Sequence, residues 1–256
     1  MVGSLEATFA ACRAAKRLAL IPYLTGGFPS VAEFAGHLGS VARGEADIIE
    51  VGIPFSDPIA DGPTIQHSSH VALTAGANLH AILETIIAAK LAQPIVIMSY
   101  LNPLLAPDRG RLMTMLRNAN VRGMIIPDLP VDESGEWRSQ LGDAVIDLIQ
   151  MAAPTSSAER LKLVAQAARG LVYALSRTGT TGVTAGVSAA LPEFLAKLRG
   201  YTKVPIAVGF GISRPEHVRG LRGLADGVVV GSRIVEAIRS GEDVASLVAQ
   251  LRAATQ

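Results

Sequence analysis

Two carboxylates stand where carboxylates cost most. In "IIEVGIPFSDPIADGPTIQ" (residues 48–66), Glu50 interrupts an apolar, β-branched run and Asp61 lies in a loop carrying Pro54, Pro58 and Pro63. A buried carboxylate without a partner raises its pKa until it can hold a proton near neutrality. General acid–base chemistry requires that tuning. A structural salt bridge is the other use of such a residue, but none of the strand-like runs identified below contains a basic residue. The prolines restrict the loop and hold Asp61 more firmly than an ordinary surface loop would. Asp before Gly is also a common turn pair, so the residues alone leave Asp61 open between the two roles. Asp57, before Pro58, reads as a turn residue or a partner contact.

A second kind of chemistry is written in glycine. "VGFGIS" (208–213) and "VVVGSRIVEAI" (228–238) each end a β-branched run in glycines, and "RTGTTG" (177–182) is a third such loop. Gly209 and Gly211 let backbone N–H groups approach a ligand closely. Gly231-Ser232 opens directly into a helical pattern, whose first N–H groups favour an anion. Tight turns and a simple Ser232 cap would also account for two of these loops; three together favour phosphate. "GFG" lacks the third glycine of a dinucleotide fingerprint.

The elements that must position these groups alternate regularly. Strand runs fall at 19–25, 47–53, 94–100, 123–129, 145–151, 171–176, 204–210 and 226–232. Helical spacing falls at 30–43, 78–91, 109–119, 132–141, 157–169, 189–199, 214–222, 232–239 and 242–253, with an extra amphipathic segment at 4–16. Strand followed by helix, eight times, in 256 residues predicts a single (β/α)8 barrel over residues 1–256 with an additional N-terminal helix. An open doubly wound sheet is the main alternative. In a barrel, functional groups gather at the C-terminal ends of strands, and the unusual residues lie there. Alternation along strand 2 turns Ile48, Glu50 and Gly52 inward.

Composition limits the rest. Net charge is +1 and 49% of residues are hydrophobic, with no basic block, so nucleic acid is not an expected partner. The lone Cys12 permits no internal disulfide and suits a reducing cytoplasm. "CRAAKRLALIPYLTGG" places basic residues before an apolar run, but that run is short and contains Pro22. A soluble, cytoplasmic protein is expected. His67, His70 and His80 lack metal-ligand spacing, and no metal site is expected. Tyr173 would face inward from strand 6 and line the pocket or simply fill the core. Asp128 would orient loop groups rather than react.

At this point the residues resemble a family. "IPYLTGGFP", "IIEVGIPFSDPIADGPTIQ", "MSYLNP", "IIPDLP", "SRTGTTG", "GFGIS" and "VVVGS", in that order and over almost the whole chain, are similar to the tryptophan synthase α subunits. The resemblance implies retro-aldol cleavage of indole-3-glycerol phosphate to indole and glyceraldehyde 3-phosphate. It makes Glu50 the acid/base and Asp61 the carboxylate that receives the indole N–H. Gly182, Gly211, Gly231 and Ser232 match the phosphate-binding positions, and Thr181 a lid residue that meets the aspartate. Tyr173 matches a pocket-lining tyrosine, while Tyr23, Met98 and Phe210 would form an apolar box around the indole. No cofactor is implied in this chain; pyridoxal phosphate would belong to a β-subunit partner, in a heterotetramer of two α and two β subunits. Thr180 stands where the family usually has valine, and Val71 where it often has arginine. A stand-alone indole-releasing lyase, another sugar-phosphate isomerase, and an inactive activator of the β subunit are the competing readings. Intact Glu50 and Asp61 argue against the last.

Overall fold

A computed structural model describes residues 4–176, 190–209 and 211–256 of the protein. Eight short strands run parallel: β1 (Ala19–Thr25), β2 (Ile49–Gly52), β3 (Ile95–Met98), β4 (Val121–Ile125), β5 (Asp147–Ala152), β6 (Val172–Leu175), β7 (Ile206–Gly209) and β8 (Gly227–Val230). They pair in sequence order and β8 closes onto β1, giving a (β/α)8 barrel. Twelve helices lie among the described residues. The first seven are α1 (Leu5–Ala14), α2 (Val31–Arg43), α3 (Pro63–Thr74), α4 (Leu79–Ala89), α5 (Leu101–Leu105), α6 (Arg109–Asn118) and α7 (Gly135–Asp143). The remainder are α8 (Ala158–Ala167), α9 (Leu191–Arg199), α10 (Pro215–Arg219), α11 (Ser232–Ser240) and α12 (Val244–Ala253). No single helix is long and apolar enough to cross a membrane.

The extra helix α1 stoppers the barrel floor. Its Leu5 is fully buried and lies where a side chain on the inward-facing Gly123 or Gly170 would have to go, 2.9 Å from either Cβ position. Two carboxylates at this lower end are paired. Asp47 takes two 2.7 Å hydrogen bonds from the Arg17 guanidinium and one of 2.9 Å from Leu20 N–H. Asp226 is ion-paired with Arg199 and accepts from Ile206 N–H at 2.8 Å. Such pairs tie strand starts to neighbouring elements.

Three sequence expectations shift. Two helices, α3 and α5, fill segments read as loop. α3 is hard to see because its inward face is Ile65, Ser68, Ser69 and Ala72, small and half polar, although Pro63 at its first turn is a start signal. β4 begins two residues earlier than its apolar run and stops before Pro127, so it contains Arg122. Gly123 faces the interior against Ile149 and Leu5, so alternation turns Arg122 outward, and it offers Glu50 no charge.

Candidate active site

One pocket opens at the C-terminal end of the barrel. Tyr23, Glu50, Asp61, Met98, Tyr173, Gly211, Gly231 and Ser232 all line it. Eight of the residues singled out from sequence therefore converge on one cavity. Gly182 and Thr181, with Thr180, and Phe210 lie outside the described residues. Among the described residues, no cluster of His, Cys, Asp and Glu could hold a metal ion.

Glu50 is carried by β2, flanked in register by Tyr23 of β1 and Val96 of β3. It is 1% exposed, and its buried Oε1 has no hydrogen-bond partner. Burial, followed by repulsion from Asp61, pushes its pKa up to about 8. Asp61 stands beyond the strand, at the turn before α3. Tyr100 donates to its Oδ2 at 3.2 Å, and Ala60 N–H donates to the same tyrosine hydroxyl at 2.9 Å. Asp61 N–H bonds Pro58 C=O at 3.1 Å, and the Gln66 amide donates to Asp61 C=O at 2.9 Å. The loop is thus held by one backbone bond and by the side chains of Gln66 and Tyr100. Burial raises the Asp61 pKa to about 6, against the opposing hydrogen bond from Tyr100. Asp61 ionises first, beside a still neutral Glu50, so their mutual repulsion falls on Glu50. At neutral pH the pocket holds one proton donor and one anion.

Two tyrosines flank the acid. A Cβ on Gly52 would lie 2.0 Å from the Tyr23 hydroxyl, and one on Gly209 2.1 Å from that of Tyr173. Each ring crosses the glycine of the next strand. Gly209, read from sequence as a ligand-facing glycine, instead makes room for Tyr173. Gly211 fits the ligand-facing reading better: it lines the pocket at φ 76°, a conformation that only glycine adopts without strain. Ser232 begins α11 behind Gly231, whose C=O takes the N–H groups of Ile234 and Val235 at 2.8 and 3.1 Å and leaves those of Ser232 and Arg233 for a ligand.

Sequence reasoning missed Tyr100, Ser213 and Arg233. Arg233 lines the pocket and is ion-paired with Glu242 at 2.6 Å; its position directly after Ser232 was the available signal. Asp128 does orient a loop group, accepting from Leu101 N–H at 2.9 Å and so fixing the residue next to Tyr100. His67 and His70 are exposed on α3, and His80 pairs with Glu84 at the surface.

Residues 9–256 match the family model described as tryptophan synthase alpha chain. The chain belongs to the tryptophan synthase α-chain family. It is 43% identical to the tryptophan synthase alpha chain of Deinococcus radiodurans over 258 residues, covering 98% of this chain and 94% of that one. It is also 43% identical to a tryptophan synthase of Saccharomyces cerevisiae over 239 residues, covering 92% of this chain but 34% of the yeast protein. In structure it superposes on a chain of Mycobacterium tuberculosis tryptophan synthase with a TM-score of 0.92 at 34% identity, covering 100% and 99% of the two chains. Within this α-chain family frame, the pocket with Glu50 and Asp61 is the place to look for the chemistry.

Proposed function

We propose that this chain performs the α reaction of tryptophan synthase, a lyase step in tryptophan biosynthesis. It cleaves indole-3-glycerol phosphate to indole and glyceraldehyde 3-phosphate. One observation carries the assignment of roles: two carboxylates face one pocket with their pKa values pushed to about 8 and about 6. Environments that split a pair in this way separate an acid from an anion.

Protonated Glu50 gives its proton to carbon 3 of the indole, and ionised Asp61 balances the positive charge that develops on the ring N–H. Glu50, now a carboxylate, takes the proton of the side-chain carbinol. The carbinol C–O becomes a carbonyl, and the bond to carbon 3 breaks. Its electron pair returns to the ring, releasing indole and the aldehyde with Glu50 reprotonated. Gly211, Gly231, Ser232 and Gly182 take the phosphate, Met98 and Phe210 pack the indole, Tyr173 lines the pocket, and Thr181 closes on Asp61.

We take residues 1–256 as one catalytic domain, acting in the cytoplasm beside a β subunit in a heterotetramer of two α and two β subunits. Pyridoxal phosphate belongs to that partner. Asp57 and Asn102, exposed on the loop after β2 and on α5, support docking at this end of the barrel. Asp61 is held by loops, so a partner that orders them should raise turnover. The test is to incubate the pure chain with indole-3-glycerol phosphate and assay indole, with and without a β subunit. Slow release alone and a gain of about 10- to 100-fold with partner are expected, the usual range for coupled sites. No indole in either mixture would refute the proposal.

A further inference from the structure

The hydroxyl of Tyr23 is a polar group in what sequence reading made an apolar wall. Tyr23 and Glu50 are register partners on adjacent strands, both facing the barrel interior. From that level the tyrosine ring rises past Gly52, and its hydroxyl fills the space a side chain at 52 would use, 2.0 Å from the Cβ position. Residue 52 is the next inward position above Glu50 on the same strand. The hydroxyl is therefore set beside the path by which a ligand reaches the Glu50 carboxyl.

Its hydrogen bonding is incomplete. Thr25 Oγ1 lies a long 3.5 Å from it, while the strong contact of Thr25 is with Ser68, at 2.7 Å. Among the described residues, no shorter hydrogen bond reaches the Tyr23 hydroxyl. Tyr23 is 7% exposed, and the surface it retains lines the pocket. Burial and the nearby Asp61 carboxylate also hold the phenol in its protonated form. A buried hydroxyl paired only at so long a distance is costly, and a site built to bond a substrate hydroxyl discriminates against analogues that lack it.

We infer that the Tyr23 hydroxyl donates a hydrogen bond to the carbinol oxygen of the substrate side chain, turning that carbinol's own proton toward Glu50. This deepens the proposed reaction and rests on it. A carbinol oxygen has both a proton to give and lone pairs to fill. Glu50 on one side and Tyr23 on the other satisfy the two at once. The role is one of substrate recognition and orientation, separate from packing of the indole ring.

The experiment compares the wild-type chain with Tyr23→Phe on two compounds. One is indole-3-glycerol phosphate. The other is 3-(indol-3-yl)propyl phosphate, which keeps the ring and the phosphate but has no side-chain hydroxyl. Tyr23→Phe is expected to lower kcat/KM for the substrate about tenfold, the size of one neutral hydrogen bond to a buried group. It should bind the propyl analogue within about twofold of wild type, since that ligand has nothing for the hydroxyl to meet. Unchanged analogue binding also shows that the pocket is intact. Equal kcat/KM in the two proteins would overturn the role of Tyr23 and leave the reaction standing. An equal loss on both compounds would make the hydroxyl structural and overturn it too. A wild-type chain that releases no indole would overturn the reaction, and this inference with it.

Discussion

Replacing Glu50 by Gln should make the protein more stable and less active, and the stability gain should depend on pH in a defined direction. Unfolded, this carboxyl titrates near 4.5; folded, burial and Asp61 hold the proton on until about 8. Between those values the native state binds more protons than the unfolded chain, so stability falls as pH rises, then levels off above about 8. At about 1.4 kcal/mol per pH unit, the interval caps the loss at about 5 kcal/mol. Relaxation around the ionised group reduces this, and about 2–4 kcal/mol is the expected span. Gln is neutral throughout and nearly isosteric, so it escapes the penalty. The contribution of Asp61, whose pKa moves from 3.8 to about 6, is present in both proteins and largely cancels. Urea unfolding of the two proteins at pH 5, 6, 7, 8 and 9 should give curves that nearly meet at pH 5 and separate steadily toward pH 8.5. Turnover of the variant should fall about 10²–10⁴-fold with substrate affinity within a few-fold, the scale of general acid–base catalysis. Parallel stability curves would mean that Glu50 ionises freely in the fold, and the case for a burial-tuned acid would collapse.

The pH dependence of kcat/KM should be bell-shaped, rising near 6 as Asp61 ionises, falling near 8 as Glu50 loses its proton, with a maximum near 7. Tyr100→Phe removes the hydrogen bond that holds the Asp61 pKa down, so the acid limb should move upward and turnover should drop about tenfold; an unmoved limb would sever Tyr100 from Asp61. Gly211→Val forces a β-branched residue to φ 76° in the pocket and should weaken phosphorylated ligands while largely sparing indole, which calorimetry with each ligand can separate. Val145, exposed at φ 61° in the turn before β5, is strained for a β-branched side chain. Val145→Gly should stabilise by about 1 kcal/mol, read as a Tm rise of about 2–4 °C.

The barrel and its two carboxylates were legible because their signals are local. β1 falls on residues 19–25 as read, and the inward turn of Glu50 follows from alternation over three residues. Elements whose stability comes from tertiary fit were harder. α3 presents serines to the barrel, with Ser68 bonded to Thr25 across 43 residues, and no periodicity of large apolar side chains marks it. Tyr100 could be read as the end of a strand motif, but its bond to Asp61 spans 39 residues and appears only when β2 and β3 lie side by side. Gly52 and Gly209 carried a visible signal with an ambiguous meaning. A glycine on an inward strand face announces a close approach, and only the fold shows that the neighbour is a tyrosine from the preceding strand.

Acids at the two ends of the barrel obey the same physics with opposite results. At the floor, Asp47 and Asp226 are each met by an arginine and a strand-start N–H, which makes them ties between elements. At the mouth, among the described residues, Glu50 has no cation beside it and Asp61 has a tyrosine hydroxyl. The two mouth acids also differ in what fixes them. Glu50 is set by one strand and by burial, both properties of the barrel itself. Asp61 depends on a chain of contacts, from Asp128 after β4, to Leu101 N–H beside Tyr100 after β3, to the carboxylate after β2. Anything that shifts those loops reaches Asp61 and leaves Glu50 where it is. The acid is therefore the constant of this site, and the anion is the part through which a neighbour or a closing loop can set the rate.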